Sequence, residues 1–142
     1  MDKPFSKPDA TPQEHGEPRT TLLDSFRHAF GGLWYAIKTQ RNMRIHLAIA
    51  GAVLVLGLYL QVGWLEWAVL ALTIGFVLVA EMFNTVAEAA MDAAAPYYHP
   101  LVKIAKDVAA GAVLLTSIAA VLVGLLILGP RLWAKVVPLV TR

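Results

Sequence analysis

The chain has 142 residues, of which 58% are hydrophobic and 15% charged, and its formal net charge is +2. Its mean hydropathy of +0.61 is well above that of soluble domains of this size, so the composition argues against a soluble enzyme and indicates a membrane protein. The small net charge gives no signal for nucleic acid. With no cysteine, the chain has neither a disulfide nor a thiolate metal site.

The N-terminal part of the chain divides into a tail and a helix. Residues 1–20 are polar and rich in proline, which predicts a flexible tail. From Thr21, apolar residues recur at steps of three and four, from Leu22 and Phe26 to Trp34. This pattern predicts an amphipathic surface helix over about residues 21–40, lying in the membrane interface. The alternative, a short soluble helix, has no core beside it to pack on.

Three long apolar segments follow, at about residues 43–62, 64–92 and 100–129. Each is at least as long as the roughly 20 residues that a bilayer requires, and none alternates like a barrel strand. Spanning segments of this kind must be helical, because a helix satisfies its own backbone hydrogen bonds in lipid. The predicted fold is an all-α membrane protein with one membrane domain, residues 21–130, and a C-terminal tail, residues 131–142.

The distribution of Lys and Arg predicts the orientation of the spans. Lys38, Arg41 and Arg44 precede the first span, and Lys103 and Lys106 follow the second. The connection between the first two spans has no basic residue, although the C-terminal tail has three. The N-terminus and the second connection are therefore expected to face the cytoplasm.

A polar stripe interrupts the second span in the segment AEMFNTVAEAAMD. Glu81, Asn84, Glu88 and Asp92 fall within an arc of about 80° on a helix with 100° per residue. A carboxylate at membrane depth costs at least a few kcal/mol, so such residues usually mark an ion or reaction site. The alternatives are hydrogen bonds that hold helices together and a proton or cation conduit, although the stripe covers only half of the span.

These residue types suit phosphate chemistry with a metal ion. Carboxylate and amide oxygens are ligands for Mg²⁺, and a second glutamate could take a proton from an attacking hydroxyl. Lys103, Lys106 and Asp107 are expected at the same level of the membrane, where a lysine could neutralise phosphate charge. The sequence contains no glycine-rich nucleotide loop. His28, His46 and His99 are interpreted as packing or interfacial residues.

The motif E-x-x-N-x-x-x-E-x-x-x-D, followed by YYHPLVKIAKDVAAGAV and preceded by RNMRIHL, resembles the prokaryotic diacylglycerol kinase family of small membrane lipid kinases, including its undecaprenol kinase branch. The resemblance covers about residues 25–128. It implies a homotrimer with composite active sites at subunit boundaries, in the bacterial inner membrane. It also implies transfer of the γ-phosphate of MgATP to a lipid hydroxyl on the cytoplasmic side.

The resemblance also implies a role for each residue of the motif. Glu81 would be the general base and Asn84 would orient the reacting groups. Glu88 would bind the metal ion, and Lys106 and Asp107 would contact the nucleotide.

This sequence departs from the family pattern at Gln40, where family members carry a metal-binding glutamate. A neutral amide is a weaker ligand for Mg²⁺, so we expect a weakened metal site that Glu88 and the ATP phosphates complete. The alternative is a catalytically impaired, non-enzymatic trimeric homologue. The RNMRIH string is closer to the undecaprenol kinase branch, which favours undecaprenol over diacylglycerol.

Overall fold

The structure, a computed structural model, describes residues 21–95, 97 and 99–140, so the predicted tail at residues 1–20 lies outside it. Over the described residues the chain forms four α-helices. They are α1 (Leu22–Thr39), α2 (Arg41–Leu60), α3 (Trp64–Ala94) and α4 (Pro100–Val140). Three of them, α2, α3 and α4 as far as Pro138, are long and apolar enough to cross a membrane. This confirms the predicted all-helical membrane protein with three spans.

Helix α1 begins at a reciprocal cap between Thr21 and Asp24. The backbone N–H of Asp24 donates to the Thr21 hydroxyl oxygen. In return, the hydroxyl and the backbone N–H of Thr21 donate to Asp24 Oδ2 at 2.7 and 3.1 Å. These two bonds, the one from the hydroxyl first, lower the pKa of Asp24 below its usual value. The apolar side chains of α1, including Phe26, Phe30 and Trp34, are exposed in the single chain.

Helices α2 and α3 run antiparallel because only three residues connect them. Gln61 at the end of α2 adopts a left-handed conformation with φ of 52°, and its backbone N–H returns to the carbonyl oxygens of α2. Gly57 lies directly against the ring of Trp67. We call this end of the molecule the turn end, and the end that carries the α3–α4 connection the site end.

The most tightly buried apolar cluster lies at the turn end. It consists of Leu60, Val62, Leu70 and Leu128. Helix α4 packs on α3 along most of its length, and α2 makes smaller contacts with both. The polar half of α3 therefore lies at the site end, away from this cluster.

Helix α4 extends beyond the predicted end of the third span. The sequence placed that end at residue 129 and a tail after it, whereas the helix passes through Pro130 and ends at Val140. Arg131 donates to both carboxylate oxygens of Glu66, at 3.2 and 2.6 Å, and to the carbonyl oxygen of Gln61. Lys135 donates to the carbonyl oxygen of Tyr59 at 2.7 Å. These bonds tie the continuation of α4 to the α2–α3 turn.

Candidate functional site

The polar stripe of α3 is buried where it first appears. Glu81 is 1% exposed, Asn84 6% and Thr85 7%, and they are the buried polar residues of the described chain. Glu88, one turn further on, is half-buried, and Asp92 is exposed. The helix is continuous through Ala94, so the stripe keeps the alignment that its spacing predicts.

Hydrogen bonds within α3 hold part of this stripe. The Asn84 side-chain N–H donates to Glu88 Oε1 at 3.1 Å, and the Thr85 hydroxyl donates to the carbonyl oxygen of Glu81 at 2.9 Å. Two buried oxygens have no hydrogen-bond partner among the described residues: Glu81 Oε2 and Asn84 Oδ1. An unsatisfied buried polar atom costs about 1 to 3 kcal/mol, and more when it is charged. Such a cost is typical of a site whose partners arrive with a ligand.

Helix α4 contributes two lysines at the same end. Lys106 forms an ion pair with Asp92 of α3, which links the two helices next to the stripe. Lys103 pairs instead with Asp107, one turn away on α4, at 2.5 Å, and both of these side chains are mainly exposed. Of the two residues predicted to contact the nucleotide, Lys106 is thus bonded to the stripe, whereas Asp107 is bonded to Lys103 on its own helix.

Gln40 occupies the junction between α1 and α2. It is the last residue before α2 and is half-buried, and its side chain makes no hydrogen bond to cap that helix. Its backbone N–H donates to the carbonyl oxygen of Ala36 at 2.9 Å. The side-chain amide of Gln40 therefore makes no capping bond to the helix end. Within the described chain, no hydrogen bond joins it to the stripe.

The oxygen atoms of the stripe suit a magnesium ion that arrives with a nucleotide. Over the part of the chain that the structure describes, no three acidic or histidine side chains form a complete metal site. The Glu88 carboxylate and the unpartnered Asn84 Oδ1 are nevertheless hard oxygen ligands one turn apart. Mg²⁺ is commonly held by one or two carboxylates together with substrate phosphates. The residues present fit this mode of binding and do not fit an all-protein cage.

A cavity of about 370 Å³ lies between α2, α3 and α4, below the stripe. Its wall is almost entirely apolar. At its site end it is lined by His46 of α2 and by Val77 of α3, one turn before Glu81. The buried carboxylate therefore stands at the boundary between an apolar interior and the charged site end.

Comparison with known proteins places the chain in a family. A sequence profile of the prokaryotic diacylglycerol kinase family matches residues 27–128. The chain belongs to this family. The resemblance inferred from the E-x-x-N-x-x-x-E-x-x-x-D motif is thereby confirmed, and the protein is a lipid kinase, for which ATP is the phosphate donor.

Individual members of the prokaryotic diacylglycerol kinase family match along most of the chain. An undecaprenol kinase of Bacillus subtilis is 38% identical over 120 residues, which cover 84% of this chain and 98% of that protein. A diacylglycerol kinase of Synechocystis sp. is 48% identical over 117 residues, covering 82% of this chain and 67% of that protein. A diacylglycerol kinase of Helicobacter pylori is 39% identical over 94 residues, covering 66% of this chain and 73% of that protein. Because relatives with either name match, the comparisons do not choose between the two lipids.

Two features of the candidate site were absent from the sequence interpretation. Thr85 is buried beside the stripe, where its hydroxyl bonds back to α3. The ion pair between Asp92 and Lys106 joins residues 14 apart in the chain. The opposite charges of Asp92 and Lys106 at neighbouring helix ends could have suggested an ion pair. Only the packing of α4 on α3 determines that the partner of Asp92 is Lys106 and not Lys103.

Proposed function

We propose that this protein transfers the γ-phosphate of MgATP to the hydroxyl group of a membrane lipid, either undecaprenol or diacylglycerol. The observation that carries the proposal is the buried carboxylate of Glu81, whose Oε2 has no hydrogen-bond partner among the described residues. A general base must reach the proton that it removes and must be shielded from water that would compete for the phosphate. Family membership supplies the class of reaction, and Glu81 supplies a group able to perform its proton transfer.

In the proposed reaction the lipid hydroxyl gives its proton to Glu81 while its oxygen forms a bond to the γ-phosphorus. The bond from this phosphorus to the β-γ bridging oxygen breaks, and ADP leaves. Asn84 orients the reacting groups next to Glu88. Lys106 and Asp107 bind the nucleotide, so the ion pairs of Lys106 with Asp92 and of Asp107 with Lys103 must rearrange when it enters.

Glu88 would hold the magnesium ion, with the amide oxygen of Gln40 as a weaker additional ligand. The ion, when bound, offsets the negative charge of the phosphates. The Asn84 amide that donates to Glu88 Oε1 fixes the orientation of this carboxylate. It leaves the other Glu88 oxygen available for coordination.

The proposed setting is the bacterial inner membrane, with the N-terminus and the site on the cytoplasmic side. The proposed assembly is a homotrimer with composite sites at the subunit boundaries. The exposed apolar side chains of α1 support a position for this helix in the membrane interface. Basic residues near the site end, including Lys38 and Arg44, support the orientation.

The choice of lipid has support on both sides. The RNMRIH string favours undecaprenol, whereas the diacylglycerol kinase of Synechocystis has the higher identity, 48% against 38%. The test is phosphate transfer from labelled ATP to each lipid in parallel mixed micelles. Transfer to one lipid identifies the branch. Absence of transfer to both would contradict the proposal and favour a non-enzymatic homologue that has lost its metal site at Gln40.

The assignment of the base is tested with Glu81→Gln. We expect its turnover to fall by about 10²- to 10⁴-fold, the usual contribution of a general base, while the thermal midpoint in detergent stays close to that of the parent protein. Glu66→Gln is the control for the chemical change, since it alters a carboxylate of the same helix at the turn end. It should keep its turnover even though it weakens the bond to Arg131. Full activity of Glu81→Gln would show that another group removes the proton.

A further inference from the structure

Glu81 has a neighbour on α2 that the proposed reaction does not use. Its Oε2 is buried and has no hydrogen-bond partner among the described residues, although its own helix supplies Asn84 and Thr85 nearby. Neither side chain donates to Oε2, because Asn84 donates to Glu88 and Thr85 donates to the carbonyl oxygen of Glu81. A donor for Oε2 must therefore come from another helix, from a substrate or from water.

The register of the antiparallel pair places His46 at the level of Glu81. Ala50 of α2 and Val77 of α3 are both buried, and both line the cavity between the spans. One helical turn from each toward the site end lie His46 and Glu81, and His46 lines the same cavity. His46 is also near enough to act electrostatically on the carboxyl group of Glu81.

The surroundings of His46 leave its imidazole available. It is half-buried, and no hydrogen bond commits its ring nitrogens within the described residues. The nearby basic groups are occupied: Arg44 donates to the carbonyl oxygen of Lys38 at 3.0 Å, and Lys106 is paired with Asp92. Among the described side chains at this level, His46 is thus an uncommitted donor on the adjacent helix, and it lines the cavity next to Glu81.

We propose that His46 is a positioning residue for Glu81. In the substrate-bound enzyme, an imidazole N–H of His46 donates to Glu81 Oε2, so that the other carboxylate oxygen faces the lipid hydroxyl. When one carboxylate oxygen is held by a hydrogen bond, the side chain cannot rotate freely. The second oxygen then keeps one orientation, which favours proton transfer from the hydroxyl. This inference rests on the proposed role of Glu81.

The test compares His46→Leu with His46→Asn and His46→Gln, each of which keeps an N–H donor. For His46→Leu we expect kcat to fall by about ten- to a hundredfold, the usual effect of losing a hydrogen bond to a charged group. The KM values for ATP and for lipid should change by less than about threefold, because the residue acts through Glu81. At least one amide variant should recover most of the lost kcat. Ser117→Ala, which removes a polar group from the wall of the same cavity, should leave kcat unchanged.

The double variant His46→Leu with Glu81→Gln separates this inference from the proposed function. If His46 acts through Glu81, the double variant should be no slower than Glu81→Gln alone. Three results would overturn the role of His46 and leave that of Glu81 intact. They are a double variant in which the two losses of kcat multiply, a parent-like kcat in His46→Leu, and equal losses of kcat in the leucine variant and both amide variants. Full activity of Glu81→Gln would overturn both.

Discussion

Within the part of the chain that the structure describes, two residues at the site end have buried polar atoms without hydrogen-bond partners. Glu81 and Asn84 each carry a buried oxygen that lacks a hydrogen-bond partner in the described chain. Burying such an oxygen costs free energy that the same atom would not cost on a surface in contact with water. Gln40 presents a neutral oxygen where the resemblance to the family implies an anion. The expected consequence of this difference is a weaker attraction for Mg²⁺, and it can be measured directly.

Replacing Gln40 with glutamate should lower the Mg²⁺ concentration that gives half-maximal activity. The expected decrease is about three- to tenfold, because one added negative charge near a divalent ion contributes on the order of 1 kcal/mol. Activity is measured against Mg²⁺ at fixed ATP. The control is Asn42→Asp, which adds the same charge at an exposed position of α2. An equal change in the control would show that the effect is one of general surface charge.

The two lysines of α4 should differ in their importance. Lys106→Met removes the cation that links α4 to Asp92, next to the stripe, and we expect the KM for ATP to rise by roughly tenfold or more, since hydrogen bonds between charged groups contribute about 1.5 to 3 kcal/mol. Lys103→Met removes an exposed cation paired within its own helix and should change the KM by less than twofold. Steady-state kinetics with varied ATP distinguish the two. A larger effect of Lys103→Met would contradict the placement of the nucleotide at Lys106.

Among the helices, the close approach of α2 and α3 determines which residues meet at the site end. Gly57 allows this approach: a Cβ atom at this position would lie 2.7 Å from Cη2 and 3.0 Å from Cζ2 of Trp67. Such distances are too short for carbon atoms, so the Trp67 ring or the helix would have to move.

The variant Gly57→Ala should be less stable than Gly51→Ala. Both changes give α2 the same gain in helix propensity, but a Cβ at Gly51 meets no atom within 4 Å. The difference in free energy of unfolding should be about 1 to 3 kcal/mol, the usual cost of overpacking. Denaturation by SDS in mixed micelles measures it. Equal stabilities would show that Trp67 moves aside without cost.

As a whole, the single chain leaves much apolar surface uncovered. Only 22% of the most apolar window of α2, 28% of that of α3 and 11% of that of α4 is buried within the chain. Lipid can cover apolar side chains, but exposed polar groups at the site end, such as Asp92, require protein, substrate or water around them. The proposed homotrimer would bury part of this surface.

The mass of the protein in detergent tests this assembly. After subtraction of bound detergent, light scattering should give three times the 15.4 kDa of one chain. A monomeric mass in an active preparation would contradict the proposed homotrimer.

By itself, the sequence determined the three spans and the face of α3 that carries Glu81, Asn84 and Glu88. Hydropathy and the rotation per residue are local properties, so they can be read along one helix. Only the tertiary structure decided that Lys106 pairs with Asp92 and that His46 stands level with Glu81. These contacts depend on the register of neighbouring antiparallel helices. Gly57 against Trp67 contributes to the register of α2 and α3, and the long contact between α3 and α4 determines which lysine meets Asp92.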